Sequence, residues 1–161
     1  MRKLLFSACV FVSACLLLGC ASAPKSYTRG KFDRPQKVLI NLSSDGQNWR
    51  EDWRMAFMNH GYDVVFQDEA LISNRTIKTE KMDIEKKNVI DDKDILYEFR
   101  LGYIGAWDVV WYVENVSLSV RDLKSGQVLG SYRDDNFWAH PSVPAVVNKI
   151  ETIFLSTLWK N

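Results

Sequence analysis

Cysteine is missing from most of this chain. All three cysteines, Cys9, Cys15 and Cys20, lie in the first 20 residues, so a domain formed by the rest has neither a disulfide nor a thiolate metal site. The rest also lacks an excess of charge. Removing residues 1–20 takes away two of the 21 basic residues and none of the 20 acidic ones, which leaves 19 against 20. This balance gives no electrostatic reason to expect nucleic acid or an anionic surface as a partner.

The sequence also lacks the signatures of common catalytic and cofactor sites. It has no Gly-x-Ser-x-Gly, His-Glu-x-x-His, phosphate-binding glycine loop or dinucleotide fingerprint, and only two histidines. His60 continues the apolar stripe of a predicted helix, where packing or capping is the commoner role. His140 lies in a connector, within reach of Asp134 or Asp135, which is weak support for acid–base chemistry. We therefore expect a non-enzymatic protein with no metal ion and no other cofactor.

Long apolar runs are absent except at the N-terminus. Residues 4–18 are apolar apart from two serines, and they follow Arg2 and Lys3. These are the charged and apolar regions of an export signal, too short for the ~20 apolar residues of a membrane-spanning helix. The next stretch, Leu17-Leu18-Gly19-Cys20, resembles the lipobox of bacterial lipoproteins. The resemblance implies cleavage before Cys20, lipidation of its thiol and new amino group, and attachment to a membrane facing the periplasm.

Two other interpretations of the N-terminus remain open. Cys15 also fits a lipobox, but the three leucines that follow it would give an apolar mature start, whereas Cys20 is followed by small and polar residues. Alternatively, the apolar run is a buried helix of the domain. Ala21, rather than Asp, stands after Cys20. In lipoproteins of this type, that residue implies transfer to the outer membrane.

The chain then divides into three parts: a signal over residues 1–19, a lipidated N-terminus and flexible tether over 20–36, and a single domain over 37–161. The tether prediction rests on a polar stretch with Pro24, Gly30 and Pro35 and no apolar period. A domain of about 125 residues is large enough to fold on its own core.

The domain begins with a β-α-β pattern. Lys37 to Leu42 is a short apolar run typical of a central strand. A helix from about Gln47 to His60 follows, preceded by capping residues from Ser43 to Gly46, and Gly61 suits a left-handed position at its end. Tyr62 to Gln67 is a second strand. The predicted buried stripe of the helix consists of Trp49, Trp53, Ala56, Phe57 and His60.

Residues 68–94 form an insert of mixed charge, in which 76–79 favours a strand and 80–87 a helix, and the alternatives stay open. Strict alternation then predicts three antiparallel strands, from 95 to 104, 109 to 122 and 128 to 133, with turns at 105–108 and 122–127. Pro144 begins a last helix, whose buried stripe consists of Val146, Val147, Ile150, Ile153, Phe154 and Leu158. This order predicts an α+β, two-layer domain, with a mixed or antiparallel sheet and two helices on one face.

The pattern resembles small periplasmic domains of the kind found in TolB (N-terminal domain), the curli-secretion lipoprotein and the penicillin-binding-protein activators. The stretches that carry the resemblance are Val38–Leu42, Trp49–Gly61, Tyr62–Val65, Ser119–Gly126 and Pro144–Leu158. The resemblance implies a domain that acts by binding other envelope proteins, although a fold does not fix a function.

Aromatic residues suggest where such binding takes place. Trp107 lies in the predicted turn between strands, and Trp111 lies on the predicted outer face of the sheet. Together with Ile104, Val109 and Val113 they form an apolar patch, which usually marks a contact site when it is exposed. The alternative is that the insert or the tether covers this patch.

Three functions are compatible with these features. The first is a non-enzymatic adaptor, anchored by Cys20, that binds another envelope protein. The second is a carrier or sensor of a lipid or peptidoglycan fragment, with a pocket between sheet and helices. The third, an envelope hydrolase, is disfavoured by the missing motifs.

Overall fold

The computed structural model describes residues 23–43, 48–73, 94–135 and 140–160. Its strands are β1 (Lys25–Thr28), β2 (Lys37–Leu42), β3 (Asp63–Phe66), β4 (Tyr97–Asp108), β5 (Val110–Asp122) and β6 (Val128–Asp134). Its helices are α1 (Arg50–Met58), α2 (Gln67–Ser73) and α3 (Val143–Ile150), and α3 continues through a π-helical turn (Glu151–Leu155) into a last α-helical turn (Ser156–Leu158). The predicted signal and lipobox, with Cys20 and Ala21, lie outside the described residues, as do the strand and helix alternatives within the insert.

The six strands form one mixed sheet in the order β1-β6-β5-β4-β2-β3. β2 is parallel to β3 and to β4, and the other neighbours are antiparallel. Parallel β2 and β3 require a crossover, which α1 supplies, whereas β4, β5 and β6 follow one another as a meander. The predicted α+β class is confirmed, because α1 and α3 pack together on one face of a mixed sheet.

The core lies between the sheet and this helical layer, and aromatic rings fill much of it. Trp53 and Phe57 of α1 are fully buried, as are Phe99 and Leu101 of β4. The Phe57 ring meets Phe99 edge-on at 5.8 Å, and Trp53 lies 5.3 Å from Tyr103. These contacts confirm the predicted buried faces of α1 and β4 apart from His60, which lies beyond the end of α1, is only partly buried and does not belong to the core.

β2 is buried on both faces, as its unbroken apolar run predicts. Val38 and Ile40 belong to the main core, whereas Leu39 points to the opposite face and packs with Ala70 and Ile95. Ala70 belongs to α2, which begins directly after β3. The sheet therefore carries a short third helix on the face for which the sequence analysis predicts no helix.

A polar cluster at the rim of the core ties α3 to β3. The Trp159 indole N–H donates to the Tyr62 hydroxyl, which lies 3.0 Å from a Glu151 carboxylate oxygen. Burial, and after it the charge of Glu151, raises the pKa of the Tyr62 hydroxyl. The hydroxyl therefore stays protonated and donates to the carboxylate. Arg34 completes the cluster with a 3.2 Å ion pair to Glu151.

The prediction that residues 20–36 form a free tether is wrong for the described part of that segment. β1 pairs with β6 from Lys25 opposite Arg133 to Thr28 opposite Gly130. Phe32, half-buried against the core, pairs with Trp159 through backbone hydrogen bonds. A polar strand at the edge of a sheet shows little apolar periodicity, which explains why the sequence pattern missed it.

Two details of the helices also differ from the predictions. Pro144 lies in the first turn of α3, as expected, but Ile153 is exposed and Leu155 is buried in its place. The π-helical turn adds a residue to the repeat, which rotates the buried stripe past Ile153. At α1 the N-cap residue is Trp49, with no side-chain cap, rather than a residue of the Ser43–Gly46 stretch.

The candidate functional site is a projecting hairpin

β4 and β5 continue beyond the rest of the sheet. β2 pairs with β4 only as far as Leu101, and β6 pairs with β5 only from Val116 onward. Residues 104–115, here called the arm, therefore have no strand partner but each other in the described sheet. Among the described residues, the only backbone support from outside the hairpin in this region is the Val113 N–H, which donates to the Pro141 carbonyl at 2.9 Å.

The arm turns later than the sequence predicts. The alternation predicts a turn at 105–108, with Ile104 opposite Val109, but the strand runs on to Asp108 and the chain reverses at Val109. Trp107 consequently pairs with Trp111. Gly102 faces Ser117, whereas the predicted register of Ile104 opposite Val109 would place it opposite Trp111.

A β-bulge at Glu114 changes which side chains face the core. Ile104 pairs with Asn115, but the next residue, Gly105, pairs with Val113, which leaves Glu114 without a partner in the strand register. The extra residue inverts the alternation of β5, because neighbouring side chains of a strand point to opposite faces. Val113 is therefore 2% exposed in the main core, and its predicted place in the exposed patch is wrong.

The same inversion moves Trp111 to the helical side of the sheet, where its strand partner Trp107 already lies by the unbroken alternation of β4. Trp49, half-buried, stacks on buried Tyr103 at 5.7 Å and meets Trp111 edge-on at 6.4 Å. Trp111 in turn lies 5.4 Å from Trp107. A ladder of four rings thus runs from the core to the end of the arm. Sequence reasoning assigns Trp49 to the core alone and misses its role as the link.

The outer end of the arm, residues 107–111, is here called the tip, and it is apolar and exposed. Trp107 is 59% exposed, Trp111 51%, and Val109, at the turn itself, 82%. Val110 beside it is also exposed. Ile104 is 54% exposed as well, but it faces the opposite side of the sheet from the tryptophans. Of the five predicted patch residues, one lies in the core, one on the outer face and three at the tip.

Val109 also has an unusual backbone. Its φ is +63°, in the left-handed region that side chains branched at Cβ rarely adopt. A hairpin turn normally places glycine or asparagine at such a position. A strained valine that is almost wholly in water contributes nothing to the core, and such strain is often found at functional sites.

The outer face beside Ile104 contains an open groove of about 340 Å³. Its lining is mixed, with Tyr103, Ile104 and Val116 beside polar residues that include Ser43, Ser117 and Arg133. Gly102 keeps the groove open, because a Cβ there would lie 2.9 Å from the hydroxyls of Ser43 and Ser117.

The histidines do not form an acid–base pair with the predicted partners. His140 stacks on Tyr112 at 4.1 Å, and its Nε2 lies 4.0 Å from a carboxylate oxygen of Asp108. Asp134 instead pairs with Lys149, and Asp135 with Arg133. His60 follows the end of α1, where its carbonyl accepts a hydrogen bond from Arg34. The ring of His140 thus braces the base of the tip rather than lining a cleft.

Neither a metal cluster nor a membrane span is found in the part of the chain that the structure describes. Within it, no three His, Cys, Asp or Glu side chains are grouped to hold an ion. Among the described helices, none has the length and apolar character needed to cross a bilayer.

Comparison with known proteins gives a likeness of fold. No family model and no curated protein matches this sequence. Among solved structures, a single-substitution variant of the PelC dodecamer from Paraburkholderia phytofirmans is 12% identical, covers 86% of this chain and 100% of its own, and has a TM-score of 0.50. A second PelC dodecamer from that organism is 14% identical, covers 86% of this chain and 99% of its own, and has a TM-score of 0.49.

TolB from Acinetobacter baumannii is more distant. It is 9% identical over 80% of this chain and 29% of TolB, with a TM-score of 0.37, so the chain spans less than a third of that protein's length. A likeness at this level carries no functional argument. The first PelC comparison supports a likeness of fold and nothing further.

Proposed function

We propose that this chain is a non-enzymatic, lipid-anchored adaptor of the bacterial outer membrane, and that it binds another envelope protein through the arm. Cys20 carries the lipid, and Ala21 permits transfer to the outer membrane. The domain faces the periplasm and presents the arm, residues 104–115, to its partner.

One observation carries this proposal: the arm projects beyond the sheet and exposes apolar side chains on both faces. Ile104 is exposed on one face, Trp107 and Trp111 on the other, and Val109 at the end. Exposed apolar patches on soluble domains usually mark contact sites, and tryptophan is over-represented among the residues that dominate binding energy. The ring ladder fixes the tip before binding, so little conformational entropy is lost on association.

The structure offers less support for a carrier with a pocket between sheet and helices. That interface is occupied by Trp53, Phe57, Phe99, Phe154 and Leu155, all fully buried. A small ligand would have to displace these rings, at the cost that accompanies any loss of core packing. Binding at a projecting surface needs no such rearrangement.

The anchor is tested by Cys20→Ser. The substitution removes the thiol that accepts the lipid, so a larger, unprocessed precursor should accumulate, and inhibition of lipoprotein signal cleavage should produce the same species. A Ser variant that is processed and still fractionates with the outer membrane would overturn the anchor. Ala21→Asp should retain the protein in the inner membrane, and unchanged fractionation would overturn the sorting argument.

The partner contact is tested by photo-crosslinking in the native membrane. A photoreactive benzoylphenylalanine replaces Ile104, and Leu96 is the matched control, since both side chains are 54% exposed and Leu96 lies just before the start of β4, at the end of that strand away from the arm. We expect a discrete protein adduct from position 104 and none from position 96. The adduct should disappear in a Gly102→Val background, which fills the groove beside Ile104. Equal labelling at both positions, or none at 104, would overturn the proposal.

A further inference from the structure

We propose that the tip of the arm, residues 107–111, seats on the lipid surface of the membrane that holds Cys20. This inference rests on the lipid anchor proposed above, but not on the protein partner. It divides the arm between two contacts. The outer face of the arm at Ile104 binds the proposed protein partner, and the tip enters the headgroup region of the membrane.

The strand directions place the anchor and the tip at the same end of the domain. β5 runs away from the tip, since it begins at Val110. β6 is antiparallel to β5 and β1 is antiparallel to β6, so β1 also runs away from the tip. The chain that precedes β1 therefore leaves the sheet on the side toward which the arm projects.

The lengths of the two segments agree. Lys25 pairs with Arg133, which pairs with Ser117, so β1 begins level with Ser117 of β5. From there to Val110 is seven residues, or roughly 20–23 Å at ~3.3 Å per residue. Cys20 precedes Lys25 by five residues, which span at most ~18 Å when extended. With the lipid of Cys20 in the bilayer and β5 along the membrane normal, even a fully extended connection places the tip at, or a few ångströms beyond, the level of Cys20.

The chemistry of the tip suits that position. Tryptophan prefers the interface between water and hydrocarbon, where its ring is buried and its N–H meets polar groups. Trp107 and Trp111 lie side by side, and exposed Val109 and Val110 form the end of the hairpin. Asp108, the one acidic residue of the tip, lies beside His140 on the other face, so shallow insertion leaves its carboxylate among the headgroups.

A spin label at Val109 tests this contact directly. Once the signal is removed, Cys20 is the one cysteine left in this sequence and its thiol is blocked by lipid, so a cysteine introduced at 109 labels cleanly. Val109→Cys and the control Ser125→Cys, in the turn at the far end of β5, are reconstituted as lipidated protein in phosphatidylethanolamine–phosphatidylglycerol vesicles. Collision with oxygen, enriched in hydrocarbon, and with a water-soluble nickel chelate reports the depth of each label.

The expected result is an oxygen-to-nickel collision ratio several-fold higher at 109 than at 125. Trp107→Ser with Trp111→Ser should lower the ratio at 109 toward that of the control. Equal, water-like ratios at both positions would overturn the proposal. So would a label at 109 that is shielded from both reagents and dipole-coupled to a second label, because a second copy of the chain would then cover the tip.

A protein occupant of the tip would give a different pattern. In these vesicles, which contain no other protein, position 109 would be in water, while a photoreactive residue at 109 in cells would label a protein. That combination would overturn the lipid contact and leave the proposed adaptor function standing. Conversely, failure to crosslink at Ile104 would not change the vesicle result.

Discussion

The body of the domain and the arm are built from the same two strands, yet they follow opposite rules of burial. Within the body, Leu101 and Leu118 pair across β4 and β5 and are almost fully buried under the helices. A few residues further along the same strands, Trp107 pairs with Trp111 and both are about half exposed. The difference shows that side chains stabilise the fold where the helices cover the sheet. Where the strands extend past the helices, their side chains are exposed and free to contact another molecule.

The bulge at Glu114 separates the two regions. On the body side of the bulge, Val116, Leu118 and Val120 of β5 face the core. On the arm side the alternation is inverted, so that Val113 lies in the core and Trp111 contacts Trp49. Bulges bend and twist a strand and are common next to functional sites. Here the bulge turns Trp111 to the side on which Trp107 lies and Trp49 can support it.

The largest effect should come from truncating the body. Leu101→Ala and Ile150→Ala each remove a side chain that is fully buried at the interface of sheet and helices. We expect each to lower the free energy of unfolding by about 2–5 kcal/mol, the range for buried aliphatic truncations. Urea denaturation measures this loss, and midpoints equal to that of the wild type would show that the buried faces are assigned wrongly.

The next effect tests whether β1 belongs to the body. In Gly130→Ala the new Cβ would stand 2.7 Å from the Tyr27 carbonyl of β1 and 2.9 Å from the Phe154 ring. We expect a loss of about 1–3 kcal/mol, typical of overpacking, with faster hydrogen exchange in β1. Gly30→Ala is the control, since its Cβ would meet nothing closer than 4.0 Å. Equal stability of the two variants would mean that β1 is not docked.

Val113→Ala tests the inversion at the bulge. Because Val113 is 2% exposed, we expect the free energy of unfolding to fall by about 1–3 kcal/mol. Ile104→Ala, which shortens a half-exposed side chain on the outer face, should cost less than about 0.5 kcal/mol. The simple alternation of the sequence would leave both residues on the outer face, so similar losses for the two variants would argue against the bulge.

The smallest effect has the opposite sign. Val109→Gly should raise the stability by up to about 1 kcal/mol, because glycine adopts a positive φ without strain. Val110→Gly, at the neighbouring exposed position without a positive φ, should instead be destabilising. Chemical denaturation of the two variants under identical conditions measures the contrast, and destabilisation by both would show that Val109 is not strained.

Periodicity predicts the body well because burial imposes it. The alternation of Tyr97, Phe99 and Leu101 and the stripe of Trp53 and Phe57 are local consequences of facing one core, and the structure confirms both. The candidate site is predicted less well. Trp107 and Trp111 are exposed, as the pattern indicates, but the face of Trp111 and its pairing with Trp107 depend on one unpaired residue that periodicity does not reveal, and β4 runs on past the predicted turn.

Other features escape sequence reasoning for related reasons. β1 is held by pairing to an existing edge and not by an apolar face of its own, and the burial of Leu155 in place of Ile153 follows from a single wide helical turn. Ala70 shows that a short helix packs on the second face of β2, against Leu39. Each of these depends on tertiary context rather than on a local sequence period.

The free energy of unfolding of the double variant Trp107→Ala with Trp111→Ala tests most directly whether the arm is a contact surface and not part of the core. Both rings are about half exposed, and among the described residues the ring contact that joins the pair to the body is the edge-on approach of Trp111 to Trp49. We predict a loss of at most about 1 kcal/mol, well below that of Leu101→Ala measured in parallel. A loss as large as that of Leu101→Ala would contradict the separation of the arm from the body.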